Sequence, residues 1–318
     1  MSFKIQAIVG DASFRNYYRF LINKKSRIIV LAKKEKYKNL VAYCAVNNYL
    51  RKNKILCPKL FSYNLKKGII VIEDFGNLSF HKFLSNNKNK IKIYRKIVDL
   101  LIKIQKIQPK RKIKSIISKD HKLEYYSNEY LHKESDLFFN WYLPLFFKKK
   151  KINKIKLRVK KNLSKLYNRL IYPNKFFVHR DFHVQNLMKV GSRIGLIDSQ
   201  DALIGNPAYD LASLIDDVRI KNTTKTKNYI YNYYLKKKPN INPKKFALDF
   251  NILSVQRSLK IIGIFSRLYT RDKKRKYLKL IPYAWKLLES RMDKEIFSDL
   301  KKDLDKNIPK KIRKKIIN

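Results

Sequence analysis

The sequence predicts an α+β protein of two lobes, a small strand-rich one over residues 1–76 and a larger, mainly helical one over residues 77–318. Three observations predict it. Runs of β-branched and aromatic residues concentrate before residue 73, apolar residues recur at helical spacing from residue 78 onward, and 318 residues are enough to bury a sizeable core.

Residues 18–22 and 27–32 read as two strands, with residues 23–26 as the turn between them. Tyr37, Leu40, Val41, Cys44 and Ala45 then fall on one face of a helix. Residues 69–72 form a compact β-branched strand that runs into Glu73, Asp74, Phe75 and Gly76, the expected crossing to the second lobe. Ile93, Ile97, Leu100, Leu101 and Ile104 mark a helix that Pro109 ends, and further helices are expected over 123–141 and 155–170. Short apolar strands at 176–179 and 194–197 are expected to pair as a hairpin. Asp210 reads as the N-terminal cap of an apolar helix over 211–215. Pro239 and Pro243 bracket a loop, after which 246–269 and 276–292 read as two closing helices.

Composition excludes several classes. A hydrophobic fraction of 45% fits a globular chain. The aromatic run over 137–147 is broken by Asn140 and Pro144 and falls short of a membrane span of about 20 residues. With no leading signal pattern, and with Cys44 and Cys57 lacking metal-ligand spacing, a cytoplasmic protein is expected. The formal charge of +51 suggests a polyanion binder. Yet Lys outnumbers Arg, is scattered through every segment, and accompanies Ile, Asn, Tyr and Phe, all residues with A/T-rich codons. The charge therefore reads as a compositional bias that gives weak non-specific polyanion binding and no specific nucleic-acid partner. Runs such as 148–151, 236–238 and 310–315 read as solvated faces.

The chemistry concentrates near the middle. His179, Arg180 and Asp181 precede Asn186, and an apolar pair, Leu196 and Ile197, delivers Asp198. ATP-dependent phosphoryl transfer needs one carboxylate at the acceptor hydroxyl, plus an amide oxygen and a second carboxylate to hold Mg²⁺ against the phosphates. Those roles fall to Asp181, Asn186 and Asp198. His179 reads as structural, and His183 either donates near the γ-phosphate or packs the loop. The plainer alternative is a loop between two strands, with His179 a core histidine and Asp198 a strand-end cap. Asp74, Phe75 and Gly76 spell the magnesium motif of protein kinases, but they precede the catalytic loop, whereas the metal carboxylate must follow it. Gly10 and Ser13, with the amides up to Arg15, offer a phosphate cradle.

These stretches, with Asn186-Leu187-Met188, Gln200-Asp201-Ala202 and Tyr209-Asp210-Leu211, resemble the aminoglycoside phosphotransferase superfamily. Within it the chain is most similar to the anomeric kinases of N-acetylmuramate and N-acetylglucosamine in cell-wall recycling. Gly10-Asp11-Ala12-Ser13-Phe14-Arg15 resembles their nucleotide loop, and residues 260–268 with Arg271 and Asp272 resemble their C-terminal helix motif. The resemblance implies a bilobal protein-kinase-like fold, ATP and Mg²⁺ as cofactors, and a small sugar as substrate. It places Gly10, Asp11, Ser13, Phe14 and Arg15 on the nucleotide. Glu73 and Phe75 fall in the hinge whose backbone meets the adenine, and Asp210 beneath the catalytic loop. Gln200 and Asp201 lie where they can face the acceptor. One departure stands out. Many such kinases pair a lysine on the third strand with a helix glutamate, but residues 27–31 hold no lysine and no acidic residue lies between Lys36 and Lys54. Lys33, Lys34 or Arg15 is left to supply the charge. Ser199 also stands where the relatives carry an aromatic residue. The alternatives are a kinase for another small metabolite, such as an amino alcohol or an aminoglycoside, and a non-enzymatic basic binding module.

Overall fold

The structure is a computed structural model that describes residues 5–8, 15–22, 25–33, 37–117 and 120–315. Packing divides the chain into two compact units, Met1–Glu124 with Phe176–Ile204, and Tyr125–Lys175 with Gly205–Asn318.

The first unit is built on an antiparallel sheet. Its strands are β1 (Gln6–Ile8), β2 (Asn16–Ile22), β3 (Lys25–Leu31), β4 (Leu60–Asn64) and β5 (Ile69–Glu73), in the order β1-β2-β3-β5-β4. Alternation decides which face is covered. Ile28 and Val30 of β3 lie opposite Ile72 and Ile70 of β5, and all four are buried against Leu40, Tyr43 and Cys44 of helix α1 (Tyr37–Lys52). Arg51 and Lys52 close the last turn of α1, where cations suit the helix dipole. Helices α2 (Phe80–Ser85) and α3 (Lys90–Gln105) begin at Ser79 and Asn89, whose side chains accept the amides of Lys82 and Lys92. A short ladder of β6 (Lys112–Ile113) and β7 (His121–Lys122) follows.

The strands expected around residues 176 and 194 form, but they do not pair with each other. β8 (Phe176–Val178) pairs with β11 (Leu203–Gly205), and β9 (Leu187–Val190) pairs with β10 (Arg193–Leu196). The cause is local. Arg193 sits opposite Val190, so Gly191 and Ser192 alone make the turn, and Gly191 supplies the positive φ (56°) that a two-residue hairpin favours.

The second unit is helical. It contains α4 (Asn128–Leu137), α5 (Lys149–Tyr167), α6 (Ala208–Ile215), α7 (Thr224–Lys236), α8 (Pro243–Thr270), α9 (Ile281–Arg291), α10 (Ser298–Asn307) and α11 (Lys310–Lys314). Several bounds differ from expectation for identifiable reasons. Ser127 caps α4, so the helix starts five residues late, and it continues as a π-helical turn over Phe138–Tyr142. Gly263 of α8 explains the close approach there. A Cβ on it would lie 2.3 Å from the Leu137 carbonyl carbon. The loop expected between Pro239 and Pro243 forms, and Pro243 ends it by opening α8, where its missing N–H costs nothing, beside the Asn242 cap. Pro282 splits the expected helix over 276–292 into a 3-10 segment and α9.

Asp210 is not a cap. α6 starts earlier, Asn206 Oδ1 accepts the Ala208 amide at 2.9 Å, and Asp210 lies fully buried in the first turn. Nor is the tail wholly solvated. Arg313 is buried, pairs with Glu289 at 2.8 Å and Asp305 at 2.7 Å, and lies 4.9 Å from the Trp285 ring centre.

Acidic side chains are sparse but anchor this interior. Glu134, Asp210, Asp216, Asp217 and Asp249 are each at most 4% exposed. Glu134 meets Lys260 at 3.0 Å, Asp216 takes the Arg291 fork at 2.9 and 3.0 Å, and Asp249 accepts the Ile171 and Tyr172 amides at 2.8 Å. No helix among the described residues is long and apolar enough to cross a membrane.

Candidate active site

The segment after β8 folds back through a single 3-10 turn over Val184–Asn186. The His183 amide donates to the Asp181 carbonyl at 3.0 Å, and the Asn186 amide donates to the His183 carbonyl at 2.9 Å. Asn186 then fixes its own side chain by donating Nδ2 to the Asp181 carbonyl at 3.0 Å. Since the NH₂ edge is turned to the loop, the amide oxygen is the group left for a cation. The His183 ring lies against the same amide, with Nε2 3.5 Å from Asn186 Nδ2.

Asp198 arrives from the other side. The Ile197 amide donates to the Asn186 carbonyl at 3.1 Å, and the fully buried His179 ring places Nε2 3.1 Å from the Ile197 carbonyl oxygen. These bonds bring Asp181, Asn186 and Asp198 together, although the strands behind them pair differently from expectation. Arg180 and Asp198 both adopt left-handed backbone, with φ of 73° and 65°. Non-glycine residues hold such conformations at a cost of about 1–3 kcal/mol, a form of strain that concentrates at functional sites.

The Asp198 carboxylate is already engaged. Its Oδ1 accepts Arg15 Nη2 at 3.0 Å and Gln200 Nε2 at 3.0 Å, while its side chain stays 39% exposed. Arg15 precedes β2, and its side chain is only 3% exposed. The guanidinium carbon lies 5.9 Å from the Tyr17 ring centre and 5.5 Å from that of Tyr43. Burial opposes its charge, but Tyr17 and Asp198 outweigh burial and raise its pKa above the ordinary arginine value. Gln200 also reaches Asp201 Oδ2 at 3.2 Å, and Arg180 Nη1 donates to the Asp201 carbonyl at 3.1 Å. Ser199 is buried and hydrogen-bonds Asn47 of α1.

Lys33 is exposed two residues past β3, and no hydrogen bond or ion pair joins it to Asp198 among the described residues. Gly10, Asp11, Ser13, Phe14 and Lys34 lie outside the described residues. Glu73 ends β5, its amide donating to the Lys59 carbonyl at 2.8 Å and its carboxylate accepting the Lys59 amide at 3.1 Å. Phe75 is buried on Gly195, where a Cβ would lie 2.6 Å from the ring. The Asp74 carboxylate accepts from Arg19, Ser26 and the Gly76 amide.

Sequence reasoning passed over Tyr17, Tyr43 and Asn47. A signal existed. Tyr43 and Asn47 are four apart on α1 and so share one helix face. As for a metal, the described residues hold no group of three or more His, Cys, Asp or Glu able to bind one. One carboxylate and one amide oxygen are nevertheless the hard donors that suit Mg²⁺, which takes its other ligands from phosphates and water.

The chain matches the phosphotransferase enzyme family, APH, over residues 4–241. It is 27% identical over 286 residues to the N-acetylmuramate/N-acetylglucosamine kinase of Neisseria meningitidis serogroup B, covering 88% of this chain and 83% of that one. The enzyme of the same name from Pseudomonas aeruginosa is 28% identical over 288 residues, covering 88% and 81%. Among solved structures, choline kinase LicA from Streptococcus pneumoniae superposes with a TM-score of 0.62 at 16% identity, covering 90% of this chain and 93% of that one. Amicoumacin kinase hAmiN, solved with AMP-PNP and Ca²⁺, gives 0.62 at 14% identity, covering 90% and 88%. At such identities these structures speak for the fold, which is protein-kinase-like, with an antiparallel sheet in its N-terminal part and helices in its C-terminal part. A family match spanning well over half the sequence has a wider basis than any single motif, and on it the chain belongs to the APH phosphotransferase enzyme family.

Proposed function

We propose that the protein is an ATP-dependent kinase that phosphorylates the anomeric hydroxyl of N-acetylmuramate or N-acetylglucosamine. The observation that carries this reading is the convergence of Asp181, Asn186 and Asp198 through the Asn186 amide and the Ile197 backbone bond. Residues 1–76 act as the nucleotide lobe and hinge, and residues 77–318 as the catalytic and acceptor lobe. Asp181 orients the sugar hydroxyl and takes its proton as the sugar oxygen bonds to the γ-phosphorus and the bond to ADP breaks. Asn186 Oδ1 and Asp198 hold Mg²⁺, which when bound neutralises phosphate charge. His183 steadies Asn186 on the γ-phosphate side, and Gln200 and Asp201 face the acceptor. Glu73 and Phe75 present hinge backbone to the adenine. Cytoplasmic residence suits an ATP user, and polyanion binding is a low-salt by-product of charge.

Charge separates the substrate classes. A chain of +51 repels polycationic aminoglycosides at long range, whereas N-acetylmuramate is anionic and N-acetylglucosamine neutral. The test is a panel of sugars and aminoglycosides with ATP and Mg²⁺, read by phosphorus NMR. An acid-labile product with phosphorus coupled to the anomeric proton is expected. Phosphate on the six-position hydroxyl, or efficient kanamycin turnover with idle amino sugars, would overturn the reading.

A further inference from the structure

β3 carries a lysine only at its first residue, Lys25, with none over residues 27–31, and the helix that would supply a glutamate partner has no acidic residue. β3 reads Lys25-Ser26-Arg27-Ile28-Ile29-Val30-Leu31, and its sheet partners leave Ile28 and Val30 pointing into the core below α1. α1 contains no acidic residue at all. One face of α1 presents Tyr43 and Asn47, the first against Arg15 and the second against Ser199.

The buried cation comes from elsewhere. Arg15 enters ahead of β2, enclosed by Tyr17 and Tyr43, with Asp198 as its carboxylate partner. A guanidinium this deeply buried is costly unless an anion accompanies it. A divalent cation on Asp198 would compete with Arg15 for the same carboxylate and weaken their pair, since two cations would then share one negative charge. The phosphates of the nucleotide are the replacement, because the planar guanidinium offers paired donors to phosphate oxygens and the two rings hold it by cation–π attraction while the partner changes.

We propose that Arg15 is the phosphate-binding cation of this enzyme, and that it exchanges Asp198 for the nucleotide phosphates when metal and nucleotide bind together. This rests on the reading of the protein as an ATP-dependent kinase with Asp198 on the metal. In the nucleotide-free protein Arg15 guards Asp198 against bare divalent cations; in the complex the same charge favours the metal–nucleotide pair. Removing it therefore acts in opposite directions on two ligands.

The experiment uses the full chain, with Mn²⁺ as the probe for the divalent site by electron paramagnetic resonance, and MgADP by isothermal titration calorimetry. Arg15→Gln is expected to bind Mn²⁺ alone about tenfold more tightly and MgADP about tenfold more weakly, from loss of one positive charge near a carboxylate and near phosphates respectively. Arg15→Lys keeps the charge and is expected to lie between Arg15→Gln and the wild type in both titrations. Loss of both affinities in Arg15→Gln, with a lowered melting temperature and no recovery in Arg15→Lys, would make Arg15 merely structural. Unchanged affinities, or the MgADP loss appearing in Lys33→Gln instead, would overturn the proposal while wild-type MgADP binding leaves the kinase reading standing. A wild-type protein that binds no MgADP would remove both.

Discussion

Ser199 donates its hydroxyl hydrogen to Asn47 Oδ1 at 2.7 Å, and both side chains are buried. The bond ties the residue after Asp198 to α1 without any charge, so the strand end and the helix stay registered whether or not Arg15 changes partner. Truncating either residue alone strands a buried polar group at a cost of about 1–3 kcal/mol. Asn47→Ala, Ser199→Ala and the double variant, compared by urea unfolding, are expected to show a coupling of about 1 kcal/mol. Strict additivity would mean the bond contributes nothing to stability.

Asp181→Asn is close to isosteric and leaves in place the Asp181 carbonyl, which accepts the His183 amide and Asn186 Nδ2. Turnover is expected to fall by roughly a thousandfold, the range for loss of a general base, with MgADP affinity unchanged. Steady-state kinetics alongside calorimetry measure both. Near-normal turnover would take the carboxylate out of the chemistry.

Gly263→Ala puts a methyl group 2.3 Å from the Leu137 carbonyl carbon and 2.5 Å from the Phe138 nitrogen. Backbone atoms on the facing helix cannot step aside as a side-chain tip can. A destabilisation of about 3 kcal/mol is expected, at the upper end of ordinary overpacking, and thermal melting would read it. A melting temperature equal to that of the wild type would show that α4 and α8 slide apart at little cost.

Asp216 sets an acid limit. Burial resists its ionisation, yet Arg291 and Lys227 more than offset this and hold its pKa below the ordinary aspartate range. A depressed pKa in the folded state means the carboxylate stabilises the protein above the unfolded value and loses that contribution as pH falls through the folded one. Stability of the wild type should therefore decline below pH about 4. Asp216→Asn, less stable at pH 7, should show a shallower decline there. Parallel pH profiles would reassign the acid sensitivity to other carboxylates, such as Asp74.

Local pattern made most of this legible. β2, β3, β5, α1, α3, α5 and α8 follow from alternation and helical spacing, signals that survive because each element buries one face. The pairing of β8 with β11 was not legible, since three-residue strands carry almost no register information and Gly191 closes a rival hairpin first. Helix starts were shifted by caps that composition hides, Ser127 and Asn242 among them. At the site, Asp181, Asn186 and Asp198 stood out by spacing. The enclosure of Arg15 did not, because it depends on Tyr17, Tyr43 and Asp198 meeting across 183 residues of chain separation.

The burial of Glu134, Asp210, Asp216, Asp217 and Asp249 leaves the exterior more one-signed than the composition alone implies. Two copies meeting in dilute buffer then face mostly like charge, while a small multivalent anion such as a nucleotide is drawn in from beyond contact range. Encounter with ATP should quicken as ionic strength falls and the screening length grows past about 10 Å, whereas the transfer step, which follows binding, should hardly notice.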